Sequence, residues 1–163
     1  MVNRKKFKST RKGEIISVGP LEDNSGFDLL IQSWVDINEK LEIIGKGSQE
    51  YMLKQLIKSN GLGDKIKIEI ADSSEIISNK FQNARCIIIP YLKDENLHLI
   101  HQALNYEIPI IGTNLNEISK IIPREFLAKP KDVNSLQLVI KEIIPLLSQF
   151  DLSAIKKAVI ENY

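Results

Sequence analysis

Three segments carry residue types that could do chemistry: Gly19-Pro20 with Ser25-Gly26, Gly45-Lys46-Gly47, and the run from Tyr91 to Gln102. Glycine-bearing turns ahead of helices let backbone N–H groups approach an anion. The standard phosphate fingerprints are missing, because nothing matches the P-loop pattern and Gly45-Lys46-Gly47 lacks the third glycine of the dinucleotide motif. A phosphoacceptor receiver site fails too, since the first strand runs into Val18-Gly19-Pro20 rather than an acidic cluster. His98 and His101 stand three apart on one helical stretch, but no third ligand lies near them to complete a metal site. No histidine is placed to activate Ser25 or Thr113, so these and Asp132 make no hydrolase constellation. The single cysteine, Cys86, lies inside an apolar run and should be inert.

Each candidate also has a plain structural reading. The four glycines can serve tight turns and close packing, and Asp94 can cap the following helix. Tyr91 can stack on a base or sugar, or simply pack at a rim. Glu95 reads as a solvated loop charge, and Gln102 as a polar helix residue.

These segments need a scaffold that gathers them. Glu14–Val18, Leu41–Ile44, Lys65–Ile70, Cys86–Ile89, Ile108–Gly112 and Phe126–Ala128 read as strands, with Cys86–Ile89 apolar throughout as a central parallel strand should be. Between them, helical spacing appears from Phe27 to Ile37, Ser48 to Ile57, Ser73 or Ser74 to Ala84, His98 to Asn105, Glu117 to Ile121 and Asp132 to Leu147. Asp151–Asn162 reads as a last amphipathic helix. Strand–helix alternation of this kind predicts an α/β fold: a Rossmann-like, doubly wound parallel six-stranded sheet with helices on both faces. In such a sheet the ligand crevice lies outside the strand C-termini, here the loops 19–26, 45–48, 90–97 and 112–116.

The chain has 163 residues and a mass of 18.5 kDa, with 43% hydrophobic and 26% charged residues, the composition of one globular domain. No apolar run reaches the ~20 residues that span a bilayer, and the basic N-terminus has no apolar segment behind it. One cysteine excludes a disulfide scaffold, so the expected compartment is reducing cytoplasm. Residues 1–12 carry six basic side chains and no acid; removing them from the net charge of +1 leaves about −5 on the rest. That acidic balance argues against a nucleic-acid-binding face on the domain itself.

The order Val18-Gly-Pro-Leu21 with Ser25-Gly26, then Ile43-Ile-Gly-Lys-Gly47, Phe81-Gln-Asn-Ala84, Ile87-Ile-Ile-Pro90, and Ala103 with Ile108-Pro-Ile-Ile111 resembles the C-terminal half of a GT-B glycosyltransferase. The nearest group is the retaining one, the glycosyl transferases group 1 family. The resemblance implies a basic interdomain linker at 1–12, a donor-binding domain at 13–150 and a terminal helix at 151–163. It implies a UDP- or GDP-sugar as donor substrate, no separate cofactor or metal, and an N-terminal acceptor-binding domain or partner subunit outside this sequence. It also leaves room for peripheral membrane contact through the parent enzyme. By position in the motifs, the donor contacts would fall on Gly19, Ser25, Gly26, Gly45, Gly47, Tyr91, Asp94, Glu95, Asn96, Leu97 and Gln102.

This sequence departs from the family at those same places. Pro20 and Ser25 stand where the family has an arginine and a lysine against the diphosphate. Asp94 and Gln102 replace a glutamate pair, Glu95-Asn96-Leu97 replaces a Gly-Phe-Gly turn, and Glu107 stands at a usual glycine. Two readings follow from the resemblance. One is the nucleotide-sugar-binding half of a working enzyme, inactive as the isolated domain; the other is a pseudo-glycosyltransferase that keeps the fold as a scaffold or partner subunit.

Overall fold

The computed structural model describes residues 11–149. The basic arm and the terminal helix expected over 151–162 fall wholly or mainly outside those residues. Six parallel strands form one sheet in the order β3-β2-β1-β4-β5-β6. They are β1 Ile15–Val18, β2 Leu41–Gly45, β3 Ile66–Ile70, β4 Cys86–Ile89, β5 Ile110–Thr113 and β6 Leu127–Ala128. The intervening helices are α1 Phe27–Ser33, α2 Glu50–Ser59, α3 Ser74–Asn83, α4 Leu97–Asn105, α5 Ile118–Ile121 and α6 Val133–Ile143. All six strands and helices expected within this range are present, which makes the fold Rossmann-like.

Burial explains why these segments are strands. β1 and β4 are buried at every position, as parallel strands covered on both faces must be. β3 lies at the edge, and its Ile-Lys-Ile-Glu-Ile alternation leaves Lys67 and Ile70 exposed. Register is continuous across the sheet: Ile15 pairs with Leu41 and Cys86, and Leu41 pairs with Ile66. Beneath it, α1 packs on α6 with Phe27, Leu30, Ile31 and Trp34 buried, and Gln137 of α6 donates to the Ser33 carbonyl at 3.0 Å.

Two helices end earlier than their apolar spacing suggests. α1 stops at Ser33, where Trp34 turns in and donates its indole N–H to the Glu39 carbonyl at 2.8 Å. α6 stops at Ile143 and gives way to 3-10 turns through Gln149, because Pro145 has no N–H to continue the ladder. Glu107 adopts φ 57, a left-handed conformation that costs a β-carbon-bearing residue about 1 kcal/mol.

Where the chain enters the sheet, Arg11 is tied to two helix ends. Its guanidinium donates to the carbonyls of Phe81 (3.1 Å) and Ala84 (2.9 Å) at the end of α3, and of Tyr106 (2.5 Å) at the end of α4. Burial lowers the Arg11 pKa from its ordinary value, with Glu107 opposing that shift. The C-terminal ends of helices carry partial negative charge, which suits a cation there.

One charge sits inside the sheet. Glu42 is 4% exposed in the middle of β2, and Lys80 of α3 reaches it at 2.6 Å while also meeting Glu69 of β3 at 2.6 Å. Burial pulls the Lys80 pKa down, but the hydrogen bonds from Glu42 and Glu69 outweigh it and the net shift is upward. A raised lysine pKa means the pair's contribution is complete at neutral pH and is lost only as pH climbs through the folded value.

Two outcomes test this packing. Lys80→Ala leaves the Glu42 carboxylate buried without its cation, and chemical denaturation should show a loss of about 3 kcal/mol. The same change in a Glu42→Val background should cost under about 1 kcal/mol. The Cys86 thiol, pushed up to about 12 by burial, should not react with an aromatic disulfide reagent at pH 8 until denaturant is added.

Candidate functional site

The C-terminal ends of β1, β2 and β3 border a crevice of about 250 Å3, closed on its far side by the first turn of α4. Its floor is main chain. Gly19 N–H donates to the Ile44 carbonyl (3.1 Å), Leu21 N–H to that of Lys46 (3.0 Å) and Gln49 N–H to that of Leu21 (2.8 Å), so the loops after β1 and β2 are laced together. A β-carbon at Gly45 would stand 1.9 Å from the Gly19 carbonyl oxygen, so only hydrogen fits there. Gly26 has φ 75, and a β-carbon on it would come 1.9 Å from the Pro90 carbonyl. This contact sets the start of α1 against the end of β4.

The residues expected to meet a donor divide into those on the loops around the crevice, only some of which line it, and those turned inward. Gly19, Gly45 and Asn96 line the crevice. Asn96 takes φ 54 at the N-cap of α4, a left-handed conformation that asparagine tolerates. Leu97 follows it half-buried against the core, and Glu95 is exposed on the loop. Gly47 lies against the Leu21 carbonyl, under Glu22.

The second group faces inward. Ser25 is buried and its hydroxyl donates to the Pro20 carbonyl, so it braces the loop in which it sits. Tyr91 is 2% exposed beneath Gly19, and its phenol donates to the Val18 carbonyl at 2.5 Å. Burial raises its pKa well above the ordinary phenol value. Thr113 donates to the Tyr91 carbonyl at 2.6 Å and fixes the same turn from the β5 side. Asp94 accepts from the backbone N–H groups of Glu117 (3.1 Å) and Ile118 (3.3 Å), so the helix it caps is α5 and not the adjacent α4. Gln102 donates from Nε2 to Ser78 Oγ at 3.2 Å and ties α4 to α3.

Nine crevice residues were not among the expected donor contacts; Lys46, Asp72 and His98 are the polar ones, and Val18, Pro20, Ile44, Ala71, Ile77 and Leu99 complete the wall. Asp72 follows β3, and the rule that ligands lie beyond strand C-termini would have picked out its loop. Lys46 sits between the two glycines of the second motif, and its ammonium lies 3.8 Å from Asp72 Oδ2. His98 stands in the first turn of α4, at the crevice wall. Glu22 accepts from both the backbone N–H (3.0 Å) and the hydroxyl (2.5 Å) of Ser48, which holds its carboxyl below the usual range and pins the loop after β2 from above.

No group of three or more His, Cys, Asp or Glu side chains able to hold a metal occurs among the described residues. No helix among them is long and apolar enough to cross a membrane. Besides turn backbone and one helix N-terminus, the crevice presents the polar side chains of Lys46, Asp72 and His98 and the apolar side chains of Val18, Ile44, Ala71, Ile77 and Leu99.

This architecture matches known proteins over nearly its full length. A structure of the Staphylococcus aureus protein TarM, a mutant in complex with fondaparinux, alpha-GlcNAc-glycerol and UDP, superposes on 94% of this chain and 33% of its own, with a TM-score of 0.79 and 14% identity. The C-terminal domain of a glycosyl transferase group 1 family protein (LpcC) from Francisella tularensis gives a TM-score of 0.76 at 18% identity, covering 94% of this chain and 88% of that one. In sequence, protein CapJ of S. aureus is 28% identical over 128 residues, 75% of this chain but 32% of CapJ, so the chain spans about a third of that relative. The model of the glycosyl transferases group 1 family matches residues 2–149, and together with the six-stranded parallel sheet this shows that the chain belongs to that family and has its GT-B type of Rossmann-like domain.

Proposed function

We propose that this domain holds the nucleotide-diphosphate sugar of a cytoplasmic glycosyl-transfer reaction, and that it is inactive until an acceptor-binding domain or partner subunit completes the cleft. The observation that carries this reading is the crevice across the ends of β1, β2 and β3, with the α4 N-terminus facing into it. Backbone N–H groups at a helix N-terminus favour an anion, and they stabilise the charge that develops on a leaving diphosphate. UDP bound to the structurally similar TarM agrees with a nucleotide diphosphate as the ligand. In this chain the role of the family's two lost cations would pass to backbone donors and His98.

A second reading has its own support. Ser25, Asp94 and Gln102 are each engaged in internal hydrogen bonds, as expected of a domain kept for its shape as a scaffold for an active partner.

Amide shifts during titration with UDP- and GDP-sugars separate the two. The donor reading expects millimolar binding with shifts at 18–20, 44–47, 71–72 and 96–99; silence that persists with the acceptor domain restored would favour the scaffold. His98→Glu, which puts a carboxylate in the first turn of α4, should weaken a nucleoside diphosphate about fivefold in the same titration. Binding of the phosphate-free nucleoside should be unchanged.

A further inference from the structure

The two ends of the crevice differ in chemistry. The strand order β3-β2-β1-β4 sets Ala71 and Asp72 at one end, Lys46 beside them, Gly19 and Pro20 in the middle, and Asn96 and His98 of α4 at the other. Ala71 and the half-buried Ile77 make the β3 end apolar between its charged tips, a surface suited to the flat face of a base. Asp72 is the only carboxylate that lines the crevice among the described residues, with the Lys46 ammonium 3.8 Å away. Paired with Lys46, Asp72 leaves the β3 end without net positive charge, whereas α4 presents backbone donors at its N-terminus, an arrangement that favours the diphosphate at α4 and the base at β3.

Building on the donor-site reading above, we propose that Lys46 and Asp72 together select guanine, making the donor a GDP-sugar. The Watson–Crick edge of guanine presents two adjacent donors, the N1 and N2 hydrogens, beside the O6 acceptor. A carboxylate takes both donors as a fork, and the neighbouring ammonium donates to O6. Uracil offers one N–H flanked by two carbonyl oxygens, which a carboxylate repels. Adenine and cytosine place a bare ring nitrogen where guanine carries its N1 hydrogen. Lys46 and Asp72 keep solvent-exposed side chains, so they are accessible to a base arriving from the cleft.

Titration of the full 163-residue chain with GDP, IDP, UDP and ADP, followed by amide shifts, tests this. GDP should bind about tenfold tighter than UDP or ADP, the scale of one forked base contact, and IDP, which lacks the 2-amino group, should fall between. Asp72→Asn exchanges one acceptor for a donor. It should weaken GDP about tenfold and raise xanthosine diphosphate, whose C2 carries a carbonyl, above it. Asp72 is exposed, and an unchanged amide spectrum outside the crevice verifies that the variant is folded. UDP binding as tightly as GDP, with shifts on the same crevice residues, overturns guanine selection while the donor-site reading stands. Binding of no nucleotide, with the acceptor domain restored, overturns both.

Discussion

The carboxyl ends of β1, β2 and β4 and the loops after them approach so closely that at Gly45, Gly47 and Gly26 only a hydrogen atom fits against the facing main chain, most tightly at Gly45 and Gly26. Gly45 meets the Gly19 carbonyl and Gly26 meets that of Pro90. Everything above the sheet depends on these contacts. They bring the loops after β1 and β2 within hydrogen-bonding distance of each other, start α1 against the end of β4, and leave the crevice floored by backbone. Tyr91 and Thr113 supply the matching support from below, with hydroxyls that donate to the Val18 and Tyr91 carbonyls inside the fold. The crevice is thus a by-product of tight packing, and its shape is held independently of which side chains line it.

This separation means that residues facing the crevice can change while the sheet is kept. A buried isoleucine in β1 or β4 touches several neighbours, and its replacement opens a cavity or forces strain. Pro20, Lys46 and His98 stand at the edge of the core, where a substitution changes charge and leaves packing density untouched. The result, among the described residues, is a crevice with no cationic side chain beside β1 other than Lys46, and with the Asp72 carboxylate at the β3 end.

The strand and helix order was legible because burial writes itself into periodicity: all-apolar Cys86–Ile89 reads as a central strand, and the charged–apolar alternation over Lys65–Ile70 reads as a strand with one wetter face, which the structure sets at the edge. Helix ends were less so. Apolar spacing continues past Ser33 and past Ile143, although Trp34 turns inward and Pro145 breaks the ladder. The lining of the site was legible only in part. Motif position brings Gly19, Gly45 and Asn96 to the crevice, but it cannot show which partner a polar side chain will take. Asp94 finds the first turn of α5 and Gln102 finds Ser78, both more than twenty residues away in sequence. Asp72 carries no motif at all, and only the position of its loop at the end of β3 brings it to the site.

Arg11 has a mechanical consequence. Its guanidinium grips the C-terminal ends of α3 and α4, on the side of the sheet opposite the crevice. A pull on the preceding segment is therefore borne first by carbonyls anchored in two helices, in shear, before any β1 rung is loaded. Force arriving there is shared with α4, the helix whose other end closes the crevice. The chain enters this domain through a clamp, and the clamp and the crevice are the two ends of the same rigid rod.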